Sequence, residues 1–110
     1  MEFETPGGII YLHNCARIEG LYLFPGKPTL AFEFRYSPDW RAIETVGRMV
    51  RLEFSAIQDL RISQAADYDP RAADTLEGII HSTASGHSLF RIDMGDLSCS
   101  FVAELVKLTA

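Results

Sequence analysis

Apolar and polar side chains alternate along much of the chain, which predicts β-strands. In residues 29–36, apolar side chains occupy every second position from Leu30 to Tyr36. A period of two is the pattern of a strand with one buried face. The preceding residues 25–28 include proline and glycine and therefore favour a tight turn. We expect residues 16–24 and 29–36 to form an antiparallel hairpin.

A second alternating block begins at Arg48 and changes phase partway along. The alternation slips at Ser55 and Ala56 and resumes over residues 57–62. A change of phase in a strand pattern indicates a bulge or a tight corner, because one extra residue turns the following side chains to the opposite face.

The last third of the chain predicts three more strands. Residues 76–84 and 87–94 flank Ser85 and Gly86, a pair that suits a hairpin turn. Residues 98–108 follow the next turn and become apolar on both faces toward their end. We expect this last strand at the centre of a sheet.

Two segments interrupt the alternation. In residues 37–46, Ser37 is placed to cap a helical turn that has Pro38 at its first position, with a loop and a short strand as the alternative. Residues 69–77 show the same ambiguity, with Asp69 as the cap. One or two short helical turns at most are expected.

These elements predict a single all-β domain over residues 1–110. About seven strands at roughly ten-residue spacing fit a mostly antiparallel sandwich or a partly open barrel. A chain of 110 residues is also the size of one domain.

Composition and charge exclude several classes of protein. With 47% hydrophobic and 23% charged residues, the chain is not disordered as its main state. A net charge of −5 disfavours nucleic-acid binding, which needs basic side chains to neutralise phosphates. No apolar run is long enough to span a membrane, and the acidic start differs from a secretory signal. We expect a cytoplasmic protein with Cys15 and Cys99 as free thiols, a single bridge between them being the alternative.

Strong catalytic and metal-binding motifs are absent from the sequence. His13 and Cys15 are two residues apart, which on a strand places them on one face, as a nucleophile pair requires. A histidine beside a buried cysteine, without a chemical role, is the favoured interpretation. His81 and His87 flank one turn, but zinc usually needs at least three protein ligands. We predict no enzyme activity, no cofactor and no metal.

Aromatic and acidic residues in the connections are the leading candidates for binding a partner. Trp40 and Tyr68 are predicted between strands, where exposed aromatic side chains anchor interfaces. Asp67 and Asp69 flank Tyr68 and add negative charge that steers a basic partner. Core-capping aromatics and solvated turn residues are the alternative interpretation.

Arginines form a second group of candidates. Four of them occupy the polar sides of predicted strands: Arg35, Arg51, Arg61 and Arg91. If these strands are neighbours, four guanidinium groups line one sheet face and bind an anion. Cross-strand ion pairs with nearby acidic residues are the favoured alternative.

Residues 50–62 combine hydrophobic alternation with a few polar positions, and residues 11–18 and 98–101 add an early and a late strand segment. This combination resembles the immunity proteins of bacterial polymorphic toxins and related all-β domains. In that group the early histidine is usually followed by aspartate, whereas His13 is followed by Asn14 here, so no acidic role is carried over. The resemblance implies a small cytoplasmic protein that blocks a toxin and has no catalytic residues.

The leading hypothesis is therefore a small bacterial, non-catalytic, protein-binding domain, with toxin neutralisation as its most concrete form. The alternative is a barrel that binds a small molecule or an anion with arginines on its inner wall. A homodimer through paired strand edges is left open by the sequence.

Overall fold

The computed structural model describes residues 2–5, 8–12, 16–67 and 76–109. Most of these residues are in β-strands, as the alternation predicts. The elements in chain order are β1 (Glu2–Thr5), β2 (Gly8–Tyr11), β3 (Ala16–Phe24), β4 (Thr29–Tyr36), a 3₁₀ turn (Trp40–Ala42), α1 (Ile43–Val46), β5 (Arg48–Ser55), β6 (Gln58–Gln64), β7 (Gly78–Ala84), β8 (His87–Met94), β9 (Leu97–Ala103) and β10 (Leu105–Thr109).

Eight of the described strands form two four-stranded antiparallel sheets around a shared core. The first sheet has the order β10-β5-β4-β3 and the second sheet the order β6-β9-β8-β7, while β1 and β2 pair with each other. Among the described residues, neither sheet closes into a barrel. The predicted all-β antiparallel sandwich is confirmed, with eight strands in the two main sheets where the sequence indicated about seven.

Both predicted hairpins are confirmed. β3 pairs with β4 across the turn at residues 25–28, and β7 pairs with β8 across Ser85 and Gly86. The φ angles of these two turn residues are 53° and 78°. Two positive φ angles in a two-residue loop are typical of a type I′ turn, whose twist matches that of the flanking strands.

The phase slip at Ser55 and Ala56 is a corner at which the chain changes sheets. β5 belongs to the first sheet and β6 to the second, and their partner strands switch with them, since β10 pairs with β5 and β9 with β6. Ala56 has a φ of 56°, and the Glu104 N–H donates to the Ser55 carbonyl oxygen at 3.0 Å. The prediction of one central strand over residues 98–108 is wrong, because this corner divides it at Glu104. β9 is central in the second sheet, and β10 lies at the edge of the first.

The connection between β4 and β5 contains the predicted helical turns with a different cap. The Asp39 carboxylate accepts a hydrogen bond from the Arg41 N–H at 3.0 Å. The predicted cap at Ser37 is wrong because the helical turn begins later; Ser37 is buried, and its hydroxyl oxygen accepts from the Asp39 N–H. Residues 69–75 of the second predicted turn lie outside the described residues. None of the described helices has the length and hydropathy of a membrane-spanning segment.

The core lies between the inner faces of the two sheets, where alternate side chains of each strand point. Phe54 is fully buried, and its ring packs against Phe32 of its own sheet, with centroids 6.0 Å apart. Its centroid also lies 4.9 Å from that of Phe90 and 4.7 Å from that of Phe101, both in the second sheet. Other fully buried side chains are Leu30, Phe34, Val50, Leu52, Ile92, Met94 and Cys99. Aromatic packing at Phe54 thus joins the two sheets.

Gly47 makes a close backbone approach at the end of α1. Its N–H donates to the Ile43 carbonyl oxygen at 3.0 Å. A Cβ atom on Gly47 would overlap that oxygen and would lie 2.7 Å from Cγ of Arg35. Because the oxygen belongs to the backbone, it moves only if the connection shifts. Gly47→Ala is therefore expected to lower the free energy of unfolding by about 1–3 kcal/mol.

Urea denaturation measures this loss, with Gly78→Ala as the matched control. A Cβ atom on Gly78 meets nothing within 4 Å, so this variant is expected to stay within about 0.5 kcal/mol of the wild type. Equal stabilities of the two variants would mean that the connection relaxes freely around the added methyl group.

Candidate functional site

The connection between β4 and β5 and the start of β5 expose three large apolar side chains, Trp40, Val46 and Met49, which we call the connection patch. Their exposed fractions are 64%, 71% and 42%. Trp40 and Val46 lie at opposite ends of the helical turns, about 10 Å apart along the axis. Met49 is in β5 opposite Arg35 and faces outward from the first sheet. Three large apolar side chains exposed within residues 40–49 make this stretch a candidate interaction surface.

Charged groups of both signs border the connection patch. The Arg41 guanidinium carbon lies 5.8 Å from the centre of the Trp40 ring, and its Nε lies 3.6 Å from the Asp39 carboxylate. Glu44 on α1 forms an ion pair with Arg17 on β3. Tryptophan, methionine and arginine are enriched where proteins bind one another. The connection patch and its border have this composition.

The other predicted partner-binding residues are only partly described. Asp67 is exposed in the turn that follows β6. Tyr68 and Asp69 lie outside the described residues. Their grouping with Trp40 in one interface stays a prediction.

The four candidate arginines do not line one face. Arg35 and Arg51 lie on the outer face of the first sheet. Arg61 of β6 and Arg91 of β8 lie on the outer face of the second sheet, where each is the register partner of Ser100. The prediction of a single face, or of the inner wall of a barrel, is wrong because the chain changes sheets between β5 and β6. The structure therefore forms two pairs, Arg35 with Arg51 on adjacent strands of the first sheet and Arg61 with Arg91 on the second sheet.

Both arginines of the first sheet form ion pairs with neighbouring acidic side chains. Nε of Arg35 donates to Glu19 at 3.0 Å, from β4 to the adjacent β3. Arg51 donates to Glu53 at 2.7 Å and to Glu33 on β4 at 2.9 Å. The hydrogen bond to Glu53 raises the pKa of Arg51 above its ordinary value. The first sheet therefore contains the cross-strand ion pairs that the sequence analysis gave as the alternative to anion binding.

Among the described residues, the histidine and cysteine candidates lie apart from one another. His81 stacks on Phe90 with ring centroids 4.6 Å apart, whereas strand alternation places His87 on the opposite face of the hairpin. Cys99 is a free, fully buried thiol, and burial raises its pKa from 9.0 to about 11. Residues 13–15, with the other candidate histidine and cysteine, lie outside the described residues. The described part of the chain contains no group of three or more histidine, cysteine or acidic side chains that could hold a metal ion.

Some residues of these surfaces were not identified as candidates from the sequence. Val46 carries no signal of exposure, because an apolar residue at the end of a helix usually packs inward. Met49 carries a signal, because it alternates with Val50 and falls on the polar side of its strand with Arg51. Ser98 and Ser100 also carry one, since they alternate with the buried Cys99 in the strand pattern. Their position beside Arg61 and Arg91 depends on strand register, which the alternation does not contain.

Comparison with known proteins gives a fold and no family. No family model and no curated protein matches the chain. The fold is similar to that of an uncharacterized protein from Neisseria gonorrhoeae known from a crystal structure, with a TM-score of 0.62 and 16% sequence identity. The similarity covers 92% of this chain and 94% of the other. At this identity, the likeness shows that the two proteins share a fold.

Proposed function

We propose that this protein is a non-catalytic domain that binds another protein through the connection patch. The observation that carries the proposal is the 64% exposure of Trp40, with Val46 and Met49 also exposed within the next nine residues. A tryptophan buried at an interface commonly accounts for about 2 kcal/mol or more of binding free energy when it is truncated. In the free protein, the same exposed side chain contributes little to folding.

The connection patch is held in place before a partner binds. The Asp39 carboxylate caps the 3₁₀ turn, and Ile43 of α1 is half-buried. The ion pair between Glu44 and Arg17 links α1 to β3. An interface that is already ordered loses less conformational entropy on binding. This preorganisation supports a role for the connection in recognition.

The proposed partner carries a positively charged surface. A net charge of −5 attracts a basic protein and speeds its association at low salt. Neutralisation of a bacterial toxin is the most concrete form of the proposal, and it rests on the resemblance of residues 50–62. A cytoplasmic location belongs to the same proposal and is supported by Cys99 as a free thiol, as expected in a reducing compartment.

Affinity capture with the tagged protein from a lysate of its source cells, followed by mass spectrometry, tests the proposal. The wild type is expected to retain a near-stoichiometric partner that Trp40→Ala loses. With the purified partner, Trp40→Ala is expected to weaken binding about 30-fold, which corresponds to about 2 kcal/mol. Phe24→Ala is the matched control, because Phe24 is 44% exposed at the opposite end of the first sheet. This control is expected to bind like the wild type.

The stability of Trp40→Ala separates recognition from folding. Since Trp40 is mostly exposed, the variant is expected to unfold within about 0.5 kcal/mol of the wild type. Retention of the partner by Trp40→Ala contradicts the proposal, as does a wild type that captures only its own copies. A loss of stability that accounts for the lost binding assigns Trp40 to the fold instead.

A further inference from the structure

Arg61 and Arg91 share one register row on the outer face of the second sheet. Ser100 of β9 lies opposite Arg91 of β8 on one side and opposite Arg61 of β6 on the other. Neighbouring strands are about 4.8 Å apart, so the Cα atoms of the two arginines are about 10 Å apart. Side chains of this length, on one face, can place both guanidinium groups on a single anion.

Serine hydroxyl groups surround the same position. Ser100 lies between the two arginines, and Ser63 and Ser98 form the next register pair on β6 and β9. Arg61 and these three serines line one depression together with Arg91. Within the described ranges, the side chains of Arg61 and of the three serines make no hydrogen bond or ion pair. Their donors are therefore available to a ligand.

The charge balance around Arg61 differs from that of the first sheet. Arg91 donates from Nε to Oδ1 of Asp93 at 2.8 Å, which leaves its terminal nitrogens to other acceptors. Arg35 and Arg51 of the first sheet both hold carboxylates at 3.0 Å or less. Arg61 is without such a partner among the described residues. An unpaired guanidinium group beside a second one suits an oxyanion, which can accept hydrogen bonds from both.

A second depression includes the two arginines and extends across the same face over partly apolar surface. It has a volume of about 360 Å³, and its apolar lining includes Ile80, Leu89 and Val102, while Asp59 adds a carboxylate to the same depression. Ile80 is 55% exposed. Sites for small molecules combine such an apolar lining with a few polar groups and begin at about 300 Å³. The face therefore has a position for a charged group next to apolar surface for the rest of a ligand.

We propose that this face binds a small phosphate monoester with an apolar or aromatic body. A tetrahedral phosphate directs its oxygens to several sides, which matches two guanidinium groups and three hydroxyl groups better than a planar carboxylate does. In the proposed complex, the phosphate group of the ligand lies between Arg61 and Arg91. The apolar body of the ligand lies over Ile80, Leu89 and Val102. The site shares no residue with the connection patch and stands independently of the proposed function.

Titration of the whole protein with phenyl phosphate, followed by NMR chemical shifts of the backbone amides, tests this site. The wild type is expected to show saturable shifts in β6, β8 and β9 with a Kd of about 1 mM, as a few charge-assisted hydrogen bonds at an exposed site provide. Arg61→Gln is expected to weaken binding about tenfold, and Ser100→Ala about threefold. Both residues are exposed, so both variants are expected to fold. Arg41→Gln is the matched control, since Arg41 is 76% exposed on the connection, and it is expected to bind like the wild type.

Two further probes test the parts of the ligand. Inorganic phosphate and benzoate are each expected to bind about tenfold more weakly than phenyl phosphate, because one lacks the apolar body and the other the tetrahedral anion. The absence of saturable shifts with phenyl phosphate, or equal affinities of Arg61→Gln and the wild type, overturns the proposal. If inorganic phosphate binds as tightly as phenyl phosphate, the proposal that apolar surface holds the body of the ligand is overturned. Benzoate that binds as tightly overturns the assignment of a phosphate.

Discussion

Replacement of Phe54 by alanine is expected to lower the free energy of unfolding by about 3–5 kcal/mol. Phe54 is fully buried, and its ring meets Phe90 and Phe101 of the second sheet at centroid distances of 4.9 and 4.7 Å. Hydrogen-bonded strands on both sides keep the cavity from collapsing completely, so lost contacts add to the lost hydrophobic burial. Because small domains have about 5–15 kcal/mol of total stability, the variant is expected to be close to unfolding.

Urea denaturation of three variants tests this expectation. Phe24→Ala removes the same atoms from a side chain that is 44% exposed, and a loss of about 1 kcal/mol or less is expected. Phe54→Leu retains most of the buried volume, and a loss of about 1.5 kcal/mol is expected. If Phe54→Ala and Phe24→Ala are equally stable, the two sheets do not pack through Phe54.

The strands were predictable because the information that specifies them is local. Leu30 and every second residue after it to Tyr36 are apolar and buried, as a strand with one inner face requires. Ser85 and Gly86 adopt the positive φ angles that their hairpin turn needs. Both patterns lie within a few residues of the element that they specify.

Sheet membership was not predictable, because it depends on contacts between residues distant in sequence. The phase slip at Ser55 indicated a corner, but nothing in the pattern showed that β5 and β6 join different sheets. The same corner divides the predicted strand over residues 98–108 at Glu104. It also explains why Arg51 and Arg61, on strands that follow each other in sequence, lie on different sheets.

The candidate surfaces were likewise predictable only in part. Trp40 was a candidate because the sequence placed it in a connection, but its 64% exposure depends on how the connection is arranged in three dimensions. The neighbourhood of Arg61 and Arg91 depends on the register of both with Ser100. The sequence shows which residue types are present. Which of these residues lie side by side depends on how the strands pair, and the sequence pattern does not contain that pairing.

The free energy of unfolding is expected to fall in alkaline solution because of Cys99. Burial raises the pKa of this thiol from 9.0 to about 11 in the folded protein, whereas in the unfolded chain the thiol ionises near its ordinary value. Between these two pH values, the unfolded state binds fewer protons than the folded state, so stability decreases as the pH rises. The contribution is fully present below the lower value and is lost as the pH approaches the higher one. A difference of about two pH units corresponds to about 3 kcal/mol.

The difference in unfolding free energy between the wild type and Cys99→Ala isolates this effect. Contributions of the groups that both proteins share cancel in the difference, and a reductant keeps the thiols free. Relative to Cys99→Ala, the wild type is expected to lose about 2–3 kcal/mol between about pH 8 and about pH 11. The cavity left by the alanine changes this difference by an amount that does not depend on pH. Only the slope of the difference against pH therefore reports the ionisation of the Cys99 thiol. A difference that stays constant over this range would mean that the Cys99 thiolate is solvated in the folded protein, and that the centre of the second sheet opens readily to water.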